Sequence, residues 1–248
     1  MKYVGSKNRI AKDLVPIIQS YINKDTKGYL EPFVGGANVI DKIKHPNKIG
    51  CDIHKELIAL LNKAKDDVEN IPNIITKDEY YKVKNNLTNY EDWYIGLVGF
   101  CASYNSKYFG GYANNAKTKY GTIRNYTDES IKNLKKQSSN LKGIKLIHTS
   151  FLDLPKDKIK NYVIYCDIPY KRATKYVTKN FPYEEFYQWA IEMSEHNTVL
   201  ISEYDMPNEF KCIWQKKVKV SLDCNRQAND EKNLRVEKLF IYNNNLKY

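Results

Sequence analysis

Cysteine is scarce and unpaired in pattern. Five cysteines, Cys51, Cys101, Cys166, Cys212 and Cys224, are spread through 248 residues, odd in number and without a C-x-x-C pair. That distribution excludes a disulfide framework and a structural zinc site. The four histidines, His45, His54, His148 and His196, show no metal-ligand spacing, so no metal is expected. Long apolar runs are also missing. Nothing reaches the length of a signal peptide or a bilayer span, and Met1-Lys-Tyr-Val-Gly-Ser-Lys opens directly on motif-like sequence. The expectation is a cytoplasmic protein with no membrane partner. There is no G-x-G-x-x-G dinucleotide fingerprint and no internal repeat, and the low-complexity patch is the tail Asn243 to Asn245.

Acidic residues are too few to balance the basic ones. Asp and Glu number 29 against 40 Lys and Arg, a formal charge of +11. Excess cations suit a polyanion, because neutralised phosphates release counterions. Lysine-rich coding makes a protein basic without any ligand, so charge alone leaves both readings open. What is present is a globular balance, 42% hydrophobic and 28% charged. Tyrosine is abundant, 21 residues against 8 Phe, and suits a core, a base stack or a hydroxyl donor equally.

Apolar spacing predicts a helix over Ile10 to Ile22, with Pro16 as a candidate kink. A short strand from Gly28 enters a glycine turn, helix resumes over Ala37 to Ile43, and a second strand runs from Lys48 to Asp52. Glu56 to Ala64 is helical, with Leu57, Leu60 and Leu61 on one face. Strand, turn, helix, strand, helix is the start of a parallel α/β sheet. From 65 to 143 charges, asparagines and tyrosines dominate. Ser103 to Asn115 is poor helix material, and Thr127 to Leu141 is a helix with Asp128 and Glu129 at its start. This segment reads as an inserted, mainly helical module. Strand signals return at Ile144 to His148, Tyr162 to Asp167, Thr198 to Tyr204, Trp214 to Leu222 and Glu237 to Tyr242, with helix at Phe186 to Met193 and a charged loop at Asn225 to Arg235.

Three pieces carry chemistry. Glu31-Pro-Phe-Val-Gly-Gly follows a strand, and its glycines permit a sharp turn and close approach to a ligand. A helix after it would offer free N–H groups to a phosphate or a carboxylate. The plain alternative is structural. Asp52 ends the next strand and can accept both ribose hydroxyls of a nucleoside, or simply cap the helix before Glu56. Asp167-Ile168-Pro169-Tyr170 follows the apolar strand Tyr162 to Cys166, at the edge where parallel sheets bind ligands. An exocyclic amino group is a poor nucleophile. The Asp167 carboxylate and the Ile168 carbonyl can each take one of its N–H bonds and stabilise the charge it acquires on attack. Pro169 biases Ile168 toward an extended backbone, and Tyr170 would stack on the base. The bland reading is a strand ending in routine turn residues.

In this order, with a large insert before the last piece, the chain resembles Dam-type (class alpha) DNA adenine-N6 methyltransferases. The likeness starts at Tyr3-Val-Gly-Ser-Lys, runs through Phe33-Val-Gly-Gly, Asp52 and Asp167-Ile-Pro-Tyr, and ends with Ile201-Ser-Glu-Tyr and Glu237-Lys-Leu-Phe. It implies a Rossmann-like S-adenosylmethionine-dependent sheet from residues 1–64 and 144–248, and a DNA target-recognition module at 65–143. It implies cofactor contacts from Tyr3, Gly5, Ser6, Lys7, Pro32, Phe33, Gly35, Gly36, Asp52, Ser150, Phe151 and Asp167, and a flipped adenine held by Asp167 to Tyr170. Three positions depart from the family pattern. Ile168 stands where a first proline is usual, which frees some backbone and adds an N–H. His54 stands where Asn is frequent, and Ser150 where an acidic residue is common.

A paired base must be extruded before its amino group can react, which calls for a basic, aromatic-rich grip on duplex DNA. The candidates are Arg9, Tyr104, Asn105, Lys107, Tyr112, Lys119, Arg124 and Asn125. Arginine reads guanine and asparagine adenine, whereas lysine mostly meets phosphate. Each is also an ordinary loop residue by position. A monomer is expected, with or without a cognate restriction nuclease. Other readings are an inactive DNA-binding homologue, or an amino methyltransferase for cytosine N4 or RNA adenine. An NAD-dependent oxidoreductase would leave Asp167 to Tyr170 unexplained.

Overall fold

The alternation of strand and helix signals yields a mixed α/β architecture in the computed structural model, which describes residues 1–113, 115–117, 120–171, 181–219 and 234–242. The helices are α1 (Ala11–Ser20), α2 (Lys55–Asp66), α3 (Lys77–Asn85), α4 (Asp92–Gly96), α5 (Tyr126–Leu141) and α6 (Tyr183–Ser194). The strands are β1 (Gly28–Glu31), β2 (Lys48–Asp52), β3 (Ala116–Lys117), β4 (Ile123–Arg124), β5 (Ile144–His148), β6 (Tyr162–Asp167), β7 (Thr198–Glu203), β8 (Phe210–Lys219) and β9 (Leu234–Tyr242). Apart from the small β3–β4 hairpin, the sheet strands are mostly parallel. The chain forms two compact units, Met1–Ser20 with Pro32–Leu154, and Tyr21–Glu31 with Pro155–Tyr248.

In the first unit β2 and β5 pair in parallel, from Lys48↔Ile144 to Asp52↔His148. Helix α2 packs Leu57, Leu60 and Leu61 into the core, and α5 packs Ile131, Leu134 and Leu141. Asn125 caps α5 by accepting the Asp128 N–H at 3.0 Å, and Thr76 with Glu79 forms a capping box on α3. Pro16 lies inside α1 without ending it. It and Lys12, whose carbonyl loses an N–H partner, are both exposed, so water can satisfy that carbonyl. Helix α4 runs on into a π-helical turn, Leu97–Cys101.

The second unit has strand order β1-β6-β7-β9-β8. Strands β1, β6 and β7 are parallel, whereas β9 and β8 run antiparallel. Helix α6 buries Phe186, Trp189, Ala190 and Met193.

The structure departs from the sequence pattern in three places. Helix is expected over Ala37 to Ile43, but only a 3-10 turn, Ile40–Lys42, forms. Gly35 (φ 48°) and Ala37 (φ 55°) are both left-handed, and a right-handed helix cannot propagate through such residues. Strand β8 starts at Phe210, before Trp214, because Phe210 is buried and pairs with Tyr242. The charged loop expected over Asn225 to Arg235 overlaps β9 at Leu234 and Arg235, and otherwise lies outside the described residues, as does the Asn243 to Asn245 tail. Among the described residues no helix is long and apolar enough to cross a membrane, and no His/Cys/Asp/Glu group is arranged to hold a metal.

Gly96 marks a close approach of α4 to α2. A Cβ there would lie 2.2 Å from the Glu56 carbonyl oxygen, so α4 can approach α2 only without a side chain. Gly96→Ala is expected to destabilise the fold by about 1–3 kcal/mol in urea unfolding, despite alanine's better helix propensity. An unchanged midpoint would show that the helices separate at no cost.

Candidate active site

Asp52 is tied on both oxygens in the first unit. Its Oδ2 accepts the Gly35 N–H at 3.0 Å and its Oδ1 the His54 N–H at 3.0 Å. The Val34 N–H bonds the Cys51 carbonyl at 2.7 Å, so the glycine turn is laced to the end of β2 by backbone and side chain together. Burial pushes the Asp52 carboxyl up, while the His54 and Gly35 N–H groups pull it back. The helix-cap alternative does not hold, since His54 is the N-cap residue of α2. The expected row of free helical N–H groups after the glycines is also absent. The Gly35 N–H is committed to Asp52, and only the short 3-10 turn follows.

The glycines are required by Tyr3. A Cβ on Gly35 would lie 2.9 Å from Tyr3 Cε1, and one on Gly36 would lie 2.8 Å from Tyr3 Cβ. Gly5 supplies a second left-handed turn at φ 75°. Ser6 then caps the turn Lys7–Arg9 by accepting the Asn8 N–H at 3.2 Å. Lys7 is buried and Arg9 exposed. Buried Pro32 precedes Phe33, whose ring lies 5.4 Å from that of Phe151. Ser150 spends its hydroxyl on the Leu152 N–H at 3.2 Å, capping the turn that carries Phe151.

Phe100 was not marked by any motif. Its ring meets His54 at 4.9 Å, Tyr108 at 5.0 Å and Tyr3 at 5.7 Å. Phe100 lies in the π-helical turn, and no sequence periodicity signals such a turn.

These parts fit S-adenosylmethionine. A carboxylate oxygen holding one N–H can still accept a ribose hydroxyl, and the Phe33–Phe151 pair offers an aromatic face for an adenine.

In the second unit β6 delivers Asp167 at its carboxyl end, followed by buried Ile168, partly exposed Pro169 and buried Tyr170. The Tyr170 hydroxyl donates to Glu237 Oε2 at 2.6 Å, and its ring meets Tyr204 edge-on at 4.5 Å. Burial, then Asp167 and Glu237, raise the Tyr170 phenol far above its ordinary range, so it stays a neutral donor. A cavity of about 310 Å³ is lined by Lys171, the residue after the tetrapeptide, with Glu184, Tyr187, Glu203, Tyr204 and Asp205 among others, while none of residues 167–170 lines it. That volume is at the lower end of ligand pockets, about 300–1,000 Å³. Glu203, Tyr204 and Glu237 carried only strand signals in the sequence.

The DNA-contact candidates divide by how they are held. Tyr104, Asn105 and Lys107 are exposed on a loop closed by the Ser103↔Tyr112 bridge. Three non-glycine residues of that loop have left-handed φ: Asn105 at 52°, Ser106 at 54° and Phe109 at 46°. Tyr112 is anchored through its hydroxyl to the Ile75 carbonyl at 2.9 Å. Arg124 forms a two-pronged pair with Glu129, at 2.5 and 2.8 Å, and lies over the Tyr126 ring. Arg124, with help from Lys2, holds the Glu129 carboxyl down at about 2. Asn125 is engaged as the α5 cap, and Lys119 lies outside the described residues.

Comparison with known proteins places this arrangement. The family model for D12 class N6 adenine-specific DNA methyltransferases matches residues 3–222. The Type II methyltransferase M.MjaIII of Methanocaldococcus jannaschii is 25% identical over 201 residues, 71% of this chain and 70% of that protein. Among solved structures, the putative methyltransferase yhhF from Escherichia coli is similar over 95% of this chain and 85% of its own, at 6% identity and a TM-score of 0.36. SMU.472, a putative methyltransferase complexed with SAH, is similar over 95% of this chain and 52% of its own, at 13% identity and a TM-score of 0.35. With the glycine turn, Asp52 and the Asp167–Tyr170 tetrapeptide all inside the matched span, the chain belongs to the D12 class of N6 adenine-specific DNA methyltransferases.

Proposed function

We propose that the Asp167 carboxylate and the Ile168 carbonyl are the acceptor pair for the adenine amino group. Asp52 with the Gly35–Gly36 turn would be the hold on the methyl donor. The observation that carries the reading is the exit of β6: a carboxylate, a buried residue with a main-chain acceptor, and a tyrosine whose hydroxyl is fixed on Glu237. Each acceptor takes one N–H of the target amine. The nitrogen lone pair is drawn out of ring conjugation, and the positive charge that grows on nitrogen meets fixed negative ends. The N–C bond forms as the S–C bond breaks, and the surplus proton on nitrogen leaves through Asp167. Tyr170 offers its face to the extruded base.

S-adenosylmethionine supplies the electrophilic methyl group and leaves as S-adenosylhomocysteine. Asp52 would take the ribose hydroxyls, Phe33 and Phe151 the adenine, and Tyr3, Gly5, Ser6, Lys7, Pro32, Gly35 and Gly36 the methionine end, with Ser150 fixing Phe151. Residues 65–143 would serve as the target-recognition module beside a catalytic domain of 1–64 and 144–248. Arg9, Tyr104, Asn105, Lys107, Tyr112, Lys119, Arg124 and Asn125 would face double-stranded DNA. A monomer acting in the cytoplasm, alone or beside a cognate nuclease, suits this reading.

Asp167→Ala is expected to lower turnover by at least about 100-fold while S-adenosylmethionine still binds. Labelled-methyl transfer to duplex DNA followed by nucleoside digestion measures it, and near-normal N6-methyladenine would sink the acceptor pair. Asp52→Ala should weaken donor binding by roughly 10- to 100-fold in calorimetry, the loss of a charged hydrogen-bond acceptor. Only the carboxylate form accepts both hydroxyls, and burial raises this carboxyl. Donor affinity should therefore fall as pH is lowered through that raised value, from above the ordinary aspartate range, and Asp52→Asn should flatten the profile. A wild-type profile as flat as the variant's would remove the ribose role. Arg124→Ala should relax site preference more than it weakens DNA binding, since a guanine edge would replace Glu129 as partner. An unchanged methylation pattern refutes it.

A further inference from the structure

Three hydrogen bonds hold the run from Pro169 to Lys171 from outside its own strand. The β6–β7 register runs to Asp167↔Ser202, so the chain leaves the sheet at the first residue of the motif. Beyond that point the Tyr183 hydroxyl, on the first residue of α6, donates to the Pro169 carbonyl at 2.7 Å. Glu203, the last residue of β7, accepts the Lys171 N–H with Oε2 at 3.0 Å and the Tyr204 N–H with Oε1 at 2.6 Å. Glu237 takes the Tyr170 hydroxyl.

Glu203 is the unexpected member. It is 1% exposed, and a carboxylate removed from water this completely is costly unless hydrogen bonds compensate it. An apolar side chain would fill the strand end at less cost. The glutamate instead spends both oxygens on main-chain N–H groups, one of them directly after Tyr170. Pro169 locks only its own φ, while Ile168 and Lys171 carry no ring. The direction of the Ile168 carbonyl therefore depends on what grips the peptides after it.

We infer that Glu203 and Tyr183 are positioning residues for methyl transfer. They grip the run from Pro169 to Lys171 on opposite groups, a carbonyl and an N–H, and so aim the Ile168 carbonyl alongside the Asp167 carboxylate. Neither touches the reacting atoms. The inference rests on the reading of Asp167 and Ile168 as the acceptor pair. A misalignment of about 1 Å at such a site costs on the order of 100-fold in rate.

The test uses the full chain, plasmid DNA free of adenine methylation and labelled S-adenosylmethionine. Glu203→Gln and Tyr183→Phe are made singly and together. Each single variant is expected to lose about 10- to 100-fold in kcat, with KM for DNA and the calorimetric Kd for S-adenosylmethionine within about twofold of wild type. Because both grip one peptide run, the double variant should lose less than the product of the single losses. A general loss of structure would instead move KM, Kd and the melting temperature together. Tyr183→Phe removes one hydroxyl from a part-exposed ring and keeps the test decisive if Glu203→Gln does not fold. Values of kcat within twofold of wild type, or KM and Kd rising in step with the loss, overturn the inference. Asp167→Ala measured in parallel separates the two ideas. Turnover retained there removes the acceptor pair and the grip with it. An inactive Asp167→Ala beside unaffected Glu203→Gln and Tyr183→Phe removes the grip alone.

Discussion

A half-buried carboxylate joined to two main-chain N–H groups is the interaction on which the first unit turns. Asp52 fixes the Gly35 peptide on one oxygen and the His54 peptide on the other. The glycine turn, the end of β2 and the entry to α2 are thereby one rigid piece. The left-handed φ of Gly35 and the Tyr3 ring pressed on Gly35 and Gly36 follow from that placement. The arrangement has a cost. Burial raises the Asp52 carboxyl, so its contribution to stability is greatest in acid and falls as pH rises through the raised value.

The second unit repeats the device in a different chemical setting. Glu31 accepts the Tyr29 hydroxyl at 2.7 Å, Glu203 accepts two peptide N–H groups, and Glu237 accepts Tyr170. These carboxylates lie at or near the ends of β1, β7 and β9's pairing with β7, on either side of the exit of β6. Adenine N6 methylation needs no covalent enzyme intermediate. It needs fixed acceptors that do not reorganise as charge develops. On the proposed acceptor role of Asp167 and Ile168, Glu203 and Glu237, bonded to Lys171 and Tyr170, would supply that rigidity where a ring-free Ile168 does not.

The basic surface follows other rules. The net charge of +11 attracts DNA from a distance and is screened by salt. Contact with bases requires side chains in defined places. Arg124 is already ordered by Glu129 and Tyr126, and Lys2 shares the same carboxylate at 3.0 Å. The hairpin beside it leaves Tyr120, at 81% exposure, and Ile123, at 75%, in solvent.

Local pattern was enough for much of this protein. Apolar runs bounded by turn residues located β1, β2, β5, β6 and β7, and 3.6-residue spacing located α1, α2 and α5. The order of Phe33-Val-Gly-Gly, Asp52 and Asp167-Ile-Pro-Tyr was sufficient to reach the family, because motif order survives where overall identity does not. The helix expected over Ala37 to Ile43 failed because residues 35 and 37 are left-handed, Gly35 held there by Asp52 and pressed by Tyr3 rather than by its neighbours in sequence. Glu203, Tyr183 and Glu237 stayed hidden for a related reason. Their partners at 171, 169 and 170 are 32, 14 and 67 residues away, and a glutamate at a strand end looks the same in sequence whether it faces water or two buried N–H groups. Sequence by itself determined most of the strands and helices and the family, since these are written in short-range patterns and motif order. Tertiary structure alone decided which donors meet which acceptors, because hydrogen bonds act over about 3 Å of space regardless of chain separation.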